Sequence, residues 1–547
     1  MGEKASFFVL RAKAVPEVLL RVVEAKRLLD SGKVESVQEA TEMVQISRSS
    51  FYKYKDDIFP YHENAKGKTV NMVIQLDDEP GLLSMVLKTI AEFHANILTI
   101  HQSVPVNGIA SLSLSIDVFP ATGNVEDMRN SIESVQGIHY DKNISQGVRK
   151  MKIAVMGYGT IGSGVVDVLR INKEKITKRA GEPVDVKYIL DLREFPGDPM
   201  EDAIVHDYQT IVNDPEIGIV VETMGGVEPA YTFVKAMLEA GKQVATSNKN
   251  LVAAKGAELI KIARDHNVNF QFEASVGGGI PIIRPLNKCL TADEIEEITG
   301  ILNGTTNYML TKMAEEGADF DEVLKDAQEK GYAEKDPTAD IEGHDPCRKI
   351  AILTSLVCGR QVDFEDIHCE GITKITADDF KYAKVLNRSI KLLASSRKVG
   401  NSYSCMVAPF MLSAEHPLCG VNGVFNGIFV HGNVLGDAMF YGSGAGKLPT
   451  ASAVVADIVD MTKHKNTNIY IDWSPEKLTL VDYKDSVNSF FVRTSSGKET
   501  IENAFGSVEY ADAGIAGEIG FTTKDMTEAE FEKAAAQIEV RNRIRLG

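Results

Sequence analysis

The feature that most restricts the fold is a set of glycines at a strand-to-helix junction. Residues 151–156, Met-Lys-Ile-Ala-Val-Met, read as an apolar strand that runs into Gly157-Tyr-Gly-Thr-Ile-Gly162 and then a helix over 163–171. G-x-G-x-x-G alone is weak evidence, but between a strand and a helix it has the context of a doubly wound dinucleotide-binding sheet. Gly157 allows the tight turn, Gly159 lets the backbone approach a pyrophosphate, and Gly162 permits close helix–strand packing. Thr160 and Ile161 fill the loop at the helix start, where free N–H groups favour phosphate. The next strand, 184–190, ends at Asp191-Leu-Arg193. An acid there holds the ribose 2′-hydroxyl of NAD and an arginine the 2′-phosphate of NADP. Both residues are present, so the choice between the two cofactors stays open. Strands at 217–223 and 243–246, with a helix at 230–240 between them, extend the sheet.

The chain has 547 residues, which predicts about three to five domains. Its 59 Lys and Arg against 77 Asp and Glu give a net charge of −18, and an acidic molecule is poorly suited to sequence-independent nucleic-acid binding. The six cysteines all fall within residues 289–419 without a C-x-x-C pair, a pattern of neither a zinc site nor a disulfide framework. The first residues have no apolar h-region, and nowhere is there an uncharged 18-residue apolar run. The chain therefore reads as cytoplasmic, reduced and free of membrane spans. The start MGEKAS fits the myristoylation pattern only loosely.

Polar joints at 64–68, 145–150 and 464–468 divide the chain. The predicted segments are a helical module at 1–66, a small α/β domain at 67–148, a large enzyme-like body and a C-terminal α/β domain at 466–547; within the body the nucleotide-binding domain is 149–285, and the family resemblance given below implies a catalytic and dimerisation domain at 286–465. Residues 442–465 are expected to return to the cofactor domain. The fold class is thus multidomain α/β: a Rossmann domain, an α+β catalytic domain, ferredoxin-like regulatory domains and an N-terminal helical module.

In the helical module a first helix follows Pro16 and stops near Ser31-Gly32. Ser36 caps a second, with Glu39 placed for a capping box, and residues 47–55 form a third. The arrangement resembles a helix-turn-helix, so residues 36–56, with Arg48, Ser49, Lys53 and Lys55, are candidate nucleic-acid contacts. A packing module with solvated charges is the alternative. Residues 69–147 read strand-helix-strand-strand-helix-strand, with a hairpin turn at 105–108. With D-x-P-G at 78–81 and Asn96-Ile-Leu at the second strand, this segment resembles an ACT domain, a family that binds amino-acid effectors. The resemblance places the ligand at Asp78, Gly81, Leu82 and Asn96; an ACT fold used only for dimerisation is the alternative. Together residues 1–147 resemble a small family of helix-turn-helix plus ACT proteins linked to amino-acid biosynthesis, fused upstream of an enzyme.

Beyond the nucleotide sheet, Ser247-Asn-Lys249 ends a strand, where open α/β sheets bind ligands. Phe272-Glu-Ala-Ser-Val-Gly-Gly-Gly-Ile-Pro281 is a glycine-rich loop with one carboxylate, followed by Asn303-Gly-Thr-Thr-Asn307 and a run from Gly331 to Lys349. Asp345 is a good N-cap and Pro346 a good first helical residue. Four residues separate Asp345 from Lys349, which puts both on one face. A helix start disfavours a cation and Asp345 favours one, so the two act oppositely on the proton of Lys349. A lysine so placed can donate a proton to a carbonyl oxygen as hydride reaches the carbon. Glu334 and Asp340 add carboxylates for a substrate ammonium.

The GYGTIG turn, VETMGG (221–226), SNKNLVA (247–253), FEASVGGGIPI (272–282), NGTTNYML (303–310), GYAEKDPTADIEGHD with Arg348-Lys349, and GSGAGKLPTASAVV (442–455) resemble the homoserine dehydrogenase family in order and spacing. The resemblance implies NAD(P)H-dependent reduction of L-aspartate 4-semialdehyde to L-homoserine, on the path to threonine, methionine and isoleucine. It implies Lys349 as proton donor, Asp345 and Glu334 on substrate, and Lys249 and Thr223 at the nicotinamide end, with Gly331 and Gly444-Ala445-Gly446 beside the cofactor. It also implies a monovalent cation, sodium or potassium, at Glu273, Val276, Gly278 and Ile280, held largely by backbone carbonyls and helped by Gly331 and Glu334; a tight glycine turn with no ion is the alternative. Pro346-Cys347 departs from the small residues more usual before Arg-Lys.

Residues 488–547 again read strand-helix-strand-strand-helix-strand and resemble a shortened ACT domain. Thr494-Ser-Ser-Gly-Lys498 stands where D-x-P-G would be, so effector sensing, with threonine the leading ligand, is expected in residues 69–147. A homodimer or homotetramer is expected. A DNA-binding amino-acid sensor with a vestigial enzyme is the rival from another class, and a dehydrogenase for another semialdehyde the rival among enzymes.

Overall fold

In the computed structural model the chain divides into two compact units, residues 1–148 and 149–547. The structure describes residues 14–30, 33–34, 36–55, 58, 68–93, 95–103, 105, 108–118, 125–139 and 150–547. The N-terminal MGEKAS pattern, Ser31-Gly32, the first two joints apart from Lys68 and Lys150, and residues 106–107 of the hairpin turn lie outside the described residues. Among those described, no helix is long and apolar enough to cross a membrane.

The first unit opens with α1 (Glu17–Asp30), α2 (Val37–Met43) and α3 (Arg48–Tyr54). They pack around Val22, Ala25, Val34, Ala40 and Phe51. The Ser36 hydroxyl accepts from the Glu39 N–H at 3.2 Å, as the sequence predicts, and Ser47 caps α3 in the same way. Then follow β1 (Lys68–Asp77), α4 (Leu82–Glu92), β2 (Asn96–Gln102), β3 (Ile109–Val118), α5 (Val125–Glu133) and β4 (Ile138–His139). The strands form an antiparallel sheet in the order β2-β3-β1-β4. Alternate residues of β3, from Ala110 to Val118, point to a core closed by Val86 and Ile90 of α4 and by Met128 and Ile132 of α5.

This register separates residues that the sequence reading joins into one effector site. Asp77, at the turn that carries Asp78, Gly81 and Leu82, pairs with Ile109, whereas Asn96 pairs with Asp117. Eight residues of β3 at 3.3 Å each put them roughly 26 Å apart along the sheet, so within one chain Asn96 does not share a site with Asp78–Leu82.

The second unit begins with six parallel strands: β5 (Met151–Met156), β6 (Val184–Leu190), β7 (Ile204–Val205), β8 (Ile217–Glu222), β9 (Gln243–Thr246) and β10 (Phe270–Gln271). Their order, β10-β9-β8-β5-β6-β7, reverses at β5, the switch point where such sheets bind ligands. Helices α6 (Thr160–Ile171), α7 (Ala230–Glu239) and α8 (Lys249–Asp265) connect them. The catalytic half adds α9 (Ile283–Lys288), β11 (Ile295–Ile301), α10 (Gly304–Glu316), α11 (Phe320–Glu329), α12 (His344–Cys358), β12 (Arg388–Val399), β13 (Ser402–Ser413), β14 (Phe425–Gly432), β15 (Gly436–Ser443) and α13 (Lys447–Lys463). Ala451, Val454 and Ile458 of α13 join the core of Ile153, Val165 and Ile219.

The last segment is β16 (Phe490–Thr494), α14 (Lys498–Phe505), β17 (Glu509–Ala511), β18 (Ile519–Thr522), α15 (Glu528–Ala535) and β19 (Val540–Leu546). Its order, β19-β16-β18-β17, repeats that of the first unit. It is not a separate domain beginning at 466, because β19 pairs in parallel with β13 and makes one continuous sheet with the catalytic strands. Arg545, fully buried, binds Glu370 of the catalytic half and Glu528 of α15. The expected joint at 464–468 is also tied down: Asn267 and Asn269 donate to the carbonyls of Asn466 and Thr467.

Candidate active site

The glycine turn lies between β5 and α6. Gly157 has φ 92°, and a Cβ on Gly162 would stand 1.9 Å from the Gly157 carbonyl oxygen, so the two positions demand glycine. Gly159 precedes α6 with no side-chain cap and with open space where a Cβ would be, which leaves the helix start free for a phosphate. A cavity of about 520 Å³ at this turn is lined by Gly157, Gly159, Asp191, Arg193, Thr223 and Phe233, among others. Thr223 donates its hydroxyl to the Gly157 carbonyl at 2.8 Å, binding the end of β8 to the turn. The Arg193 side chain embraces Asp191 through Nε and Nη2, at 3.0 and 2.9 Å, and the Tyr158 N–H donates to the same carboxylate at 2.8 Å. Arg193 holds the Asp191 carboxyl well below the usual carboxylate range. Arg193 itself stays largely exposed at the cavity.

Across β9, Asn248 caps α8 by accepting from the Leu251 N–H at 3.1 Å, which makes Lys249 the first helical residue. Lys249 Nζ lies 2.6 Å from Asp345 Oδ1, an ion contact without hydrogen-bond alignment. Lys349 Nζ donates to Asp345 Oδ2 at 2.7 Å and to the Leu302 carbonyl at 2.6 Å. Asn303 Nδ2 donates to Asp345 Oδ2 at 3.0 Å and to Asp340 Oδ1 at 2.7 Å. Asp345 is 4% exposed and Lys349 9%. Burial alone would raise the Asp345 carboxyl, but Lys349 and Lys249 outweigh it and hold the group far below its ordinary value. Burial also pushes Asp340 up, against the pull of Asn303. A cavity of about 270 Å³ opens onto this group, lined by Lys249, Asn250, Glu334, Asp336, Asp340 and Arg348 among others. Its mixture of acid and base suits a small zwitterion.

Asp345 lies in the first turn of α12 and does not cap it: the helix starts at His344 after Gly343, whose φ of 83° turns the chain into it. The i, i+4 pairing with Lys349 survives, since both remain on one face. Gly331 is not among the residues lining the nucleotide cavity. It ends the turn after α11 with φ 74°, and the next carbonyl, of Tyr332, receives the Thr305 hydroxyl at the start of α10. Glu273 is likewise committed elsewhere. Its carboxylate accepts the N–H groups of Ile282, Ile283 and Arg284 at 2.6 to 2.9 Å and so caps α9. Among the described residues no cluster of three or more His, Cys, Asp or Glu is arranged to hold a metal. For a cation the loop offers main-chain carbonyls, those of Glu273, Val276, Gly278 and Ile280 among them. Gly444–Gly446 closes on this loop, where a Cβ on Gly278 would be 2.4 Å from the Gly444 carbonyl oxygen.

Asn303, which bridges Asp340 and Asp345, is not evident from sequence reasoning, although it opens the motif Asn303-Gly-Thr-Thr-Asn307. Sequence reasoning also misses two buried acids. Asp457 of α13 is pushed up to about 8 by burial; it accepts from the Glu273 N–H and pairs with Arg284. Glu222 is fully buried at the end of β8. Its signal was visible, as a carboxylate closing the apolar run Ile217-Gly-Ile-Val-Val221.

A glycine turn at the switch point of a Rossmann sheet, with a buried lysine–carboxylate centre at the end of a neighbouring strand, defines an oxidoreductase that works with a dinucleotide. Comparison with known proteins narrows this class. The model of the homoserine dehydrogenase NAD-binding domain matches residues 157–273, and that of homoserine dehydrogenase matches residues 281–459. The homoserine dehydrogenase of Bacillus subtilis (strain 168) is 37% identical over 367 residues, covering 64% of this chain and 85% of that protein. Among solved structures, the homoserine dehydrogenase from Thiobacillus denitrificans superposes with TM-score 0.67 and 35% identity, over 74% of this chain and 99% of that one. A hyperthermophilic archaeal homoserine dehydrogenase in complex with NADPH superposes with TM-score 0.50 and 28% identity, over 57% of this chain and 98% of that one. The chain belongs to the homoserine dehydrogenase family, enzymes of amino-acid biosynthesis. Both family models lie within the second unit.

Proposed function

We propose that the protein reduces L-aspartate 4-semialdehyde to L-homoserine with NADPH, on the path to threonine, methionine and isoleucine. The observation that carries this reading is the Lys249–Asp345–Lys349 centre, whose Lys249 and Asp345 line a cavity sized for a small amino acid. When bound, the cofactor supplies the hydride. Lys349 gives its proton to the aldehyde oxygen as negative charge develops there. Asp345, held ionised, keeps both lysine ammonium groups in place. Glu334 and Asp340 receive the substrate ammonium. NADP(H) is favoured over NAD(H) because the Asp191 carboxylate, which would take a ribose hydroxyl, is already filled by Arg193 and the Tyr158 N–H, while Arg193 is exposed for a 2′-phosphate. A sodium or potassium ion at residues 276–280 would be held by carbonyl oxygens alone. Feedback by an end-product amino acid, with threonine the leading candidate, is assigned to the βαββαβ sheet of the first unit, at the start of α4.

The test is oxidation of NADPH and of NADH with L-aspartate 4-semialdehyde, and the reverse reaction with L-homoserine, each with and without threonine and with sodium or potassium. Turnover favouring NADPH is expected. Absence of turnover by the folded protein under every cation refutes the substrate assignment.

A further inference from the structure

The carboxylate of Glu222 is engaged by two separate parts of the site. On one side, Oε1 accepts from the N–H groups of Met224 at 2.7 Å and Gly225 at 3.4 Å, shaping the turn after Thr223. On the other, Oε2 accepts from the Thr246 hydroxyl at 2.5 Å, and Asn248 Nδ2 lies 3.4 Å from Oε1. Thr246 in turn accepts from the Asn248 N–H at 2.9 Å, and Asn248 donates to the Gly226 carbonyl at 2.6 Å. One closed network therefore joins residues 223–226, beside the glycine turn, to Asn248, the cap of the helix that begins with Lys249.

The recorded partners of this fully buried carboxylate are backbone N–H groups, a hydroxyl and an amide, with no cation among them. Burying a carboxylate without a counter-charge is costly, and a leucine of similar size at the end of an apolar strand would avoid that cost. What leucine would lack is the ability to hold two loops at fixed separation by several hydrogen bonds at once. Those loops lead to Thr223, on the cofactor side, and to Lys249, on the Asp345 side.

We propose that Glu222, through Asn248, is a positioning residue that fixes Lys249 against the 223–226 turn, so that cofactor and substrate bind with mutual reinforcement. The proposal rests on the dehydrogenase reading above, but its test is a binding experiment that does not need turnover. NADP and L-homoserine are titrated separately and together by calorimetry against wild type, Glu222→Gln and Asn248→Ala. In wild type each ligand tightens the other. In both variants the separate affinities are expected to stay within about threefold while the mutual tightening largely disappears, and kcat falls roughly ten- to a hundredfold, as for a catalytic group misplaced by a fraction of an ångström. Thr246→Val, which removes one hydroxyl from the same network, serves if Glu222→Gln does not fold. Variants that lose thermal stability yet keep the wild-type reinforcement and kcat overturn the proposal, as does a wild type without reinforcement. Failure of the semialdehyde assay alone would refute the substrate assignment and leave this coupling measurable.

Discussion

Replacing Lys349 by methionine preserves most of the side chain's volume and removes its charge, leaving the Leu302 carbonyl without its donor and Asp345 with Lys249 and Asn303. Removing one partner of a buried ion pair commonly costs about 3–5 kcal/mol when the remaining charge is uncompensated. Lys249 still stands 2.6 Å from Asp345, so the loss here should be nearer 2 kcal/mol, roughly a few degrees in Tm for a body of this size. The chemical effect should be larger, because loss of a positioned general acid lowers turnover about 10²- to 10⁴-fold. Lys249→Met is the matched control. Its side chain is 39% exposed against 11% for Lys349, so its stability loss should be smaller, and its main effect should be a raised KM. The assay is the loss of reduced-nicotinamide absorbance with saturating L-aspartate 4-semialdehyde, beside thermal unfolding of each variant. A folded Lys349→Met enzyme with kcat within about tenfold of wild type would refute the assignment of the proton donor. If Lys249→Met alone abolished turnover, the donor role would pass to Lys249.

Arg193→Ala should lower kcat/KM for NADPH by about ten- to a hundredfold while leaving NADH within a few-fold, since it removes a phosphate partner and frees Asp191 for a ribose hydroxyl; equal losses with both cofactors would contradict this. Gly278→Ala places a methyl group 2.4 Å from the Gly444 carbonyl oxygen and should displace residues 444–446, raising the KM for cofactor; an unchanged KM counts against their contact. Lys391 is 3% exposed, and burial pushes its amine down to about 8. The folded state then sheds a proton that the unfolded chain keeps up to its ordinary pKa near 10.5, so stability is gained as pH rises from about 8 to 10.5 and lost on the way back. Denaturant titrations across that window should show wild type gaining up to about 3 kcal/mol relative to Lys391→Met; parallel curves would show that the amine is not so perturbed.

What the chain discloses in advance divides by the range of the interaction. The glycine turn is local: Gly157 and Gly162 approach each other closely, so six residues of sequence contain the whole constraint. Asp345 and Lys349 are legible for the same reason, one helical turn apart. Even there the helix start was misplaced, because Gly343 supplies the left-handed entry and leaves Asp345 no capping task. The Glu273 carboxylate is the one charge in a glycine loop, but its partners, the N–H groups at 282–284, are backbone and carry no residue-type signature. Glu222 was passed over for a similar reason, since the Thr246 and Asn248 that give it meaning lie more than twenty positions away. Asn96 failed through register. A strand's residues can be read from their alternation, but which end of the sheet they reach depends on pairing that alternation does not encode.

The pairing of β19 with β13 also bears on how this molecule is made. β13 is complete once synthesis reaches Ser413, yet the strand that pairs with its Phe410 and Met411 starts at Val540. At ordinary elongation rates that interval lasts on the order of ten seconds, during which the main-chain groups at Phe410–Met411, just beyond the stretch of this edge paired with His368–Cys369, lack their strand partner. The nascent enzyme therefore passes through a stage with an adhesive flank. The buried Arg545, clasped by Glu370 on one side and Glu528 on the other, acts as the latch that ends it.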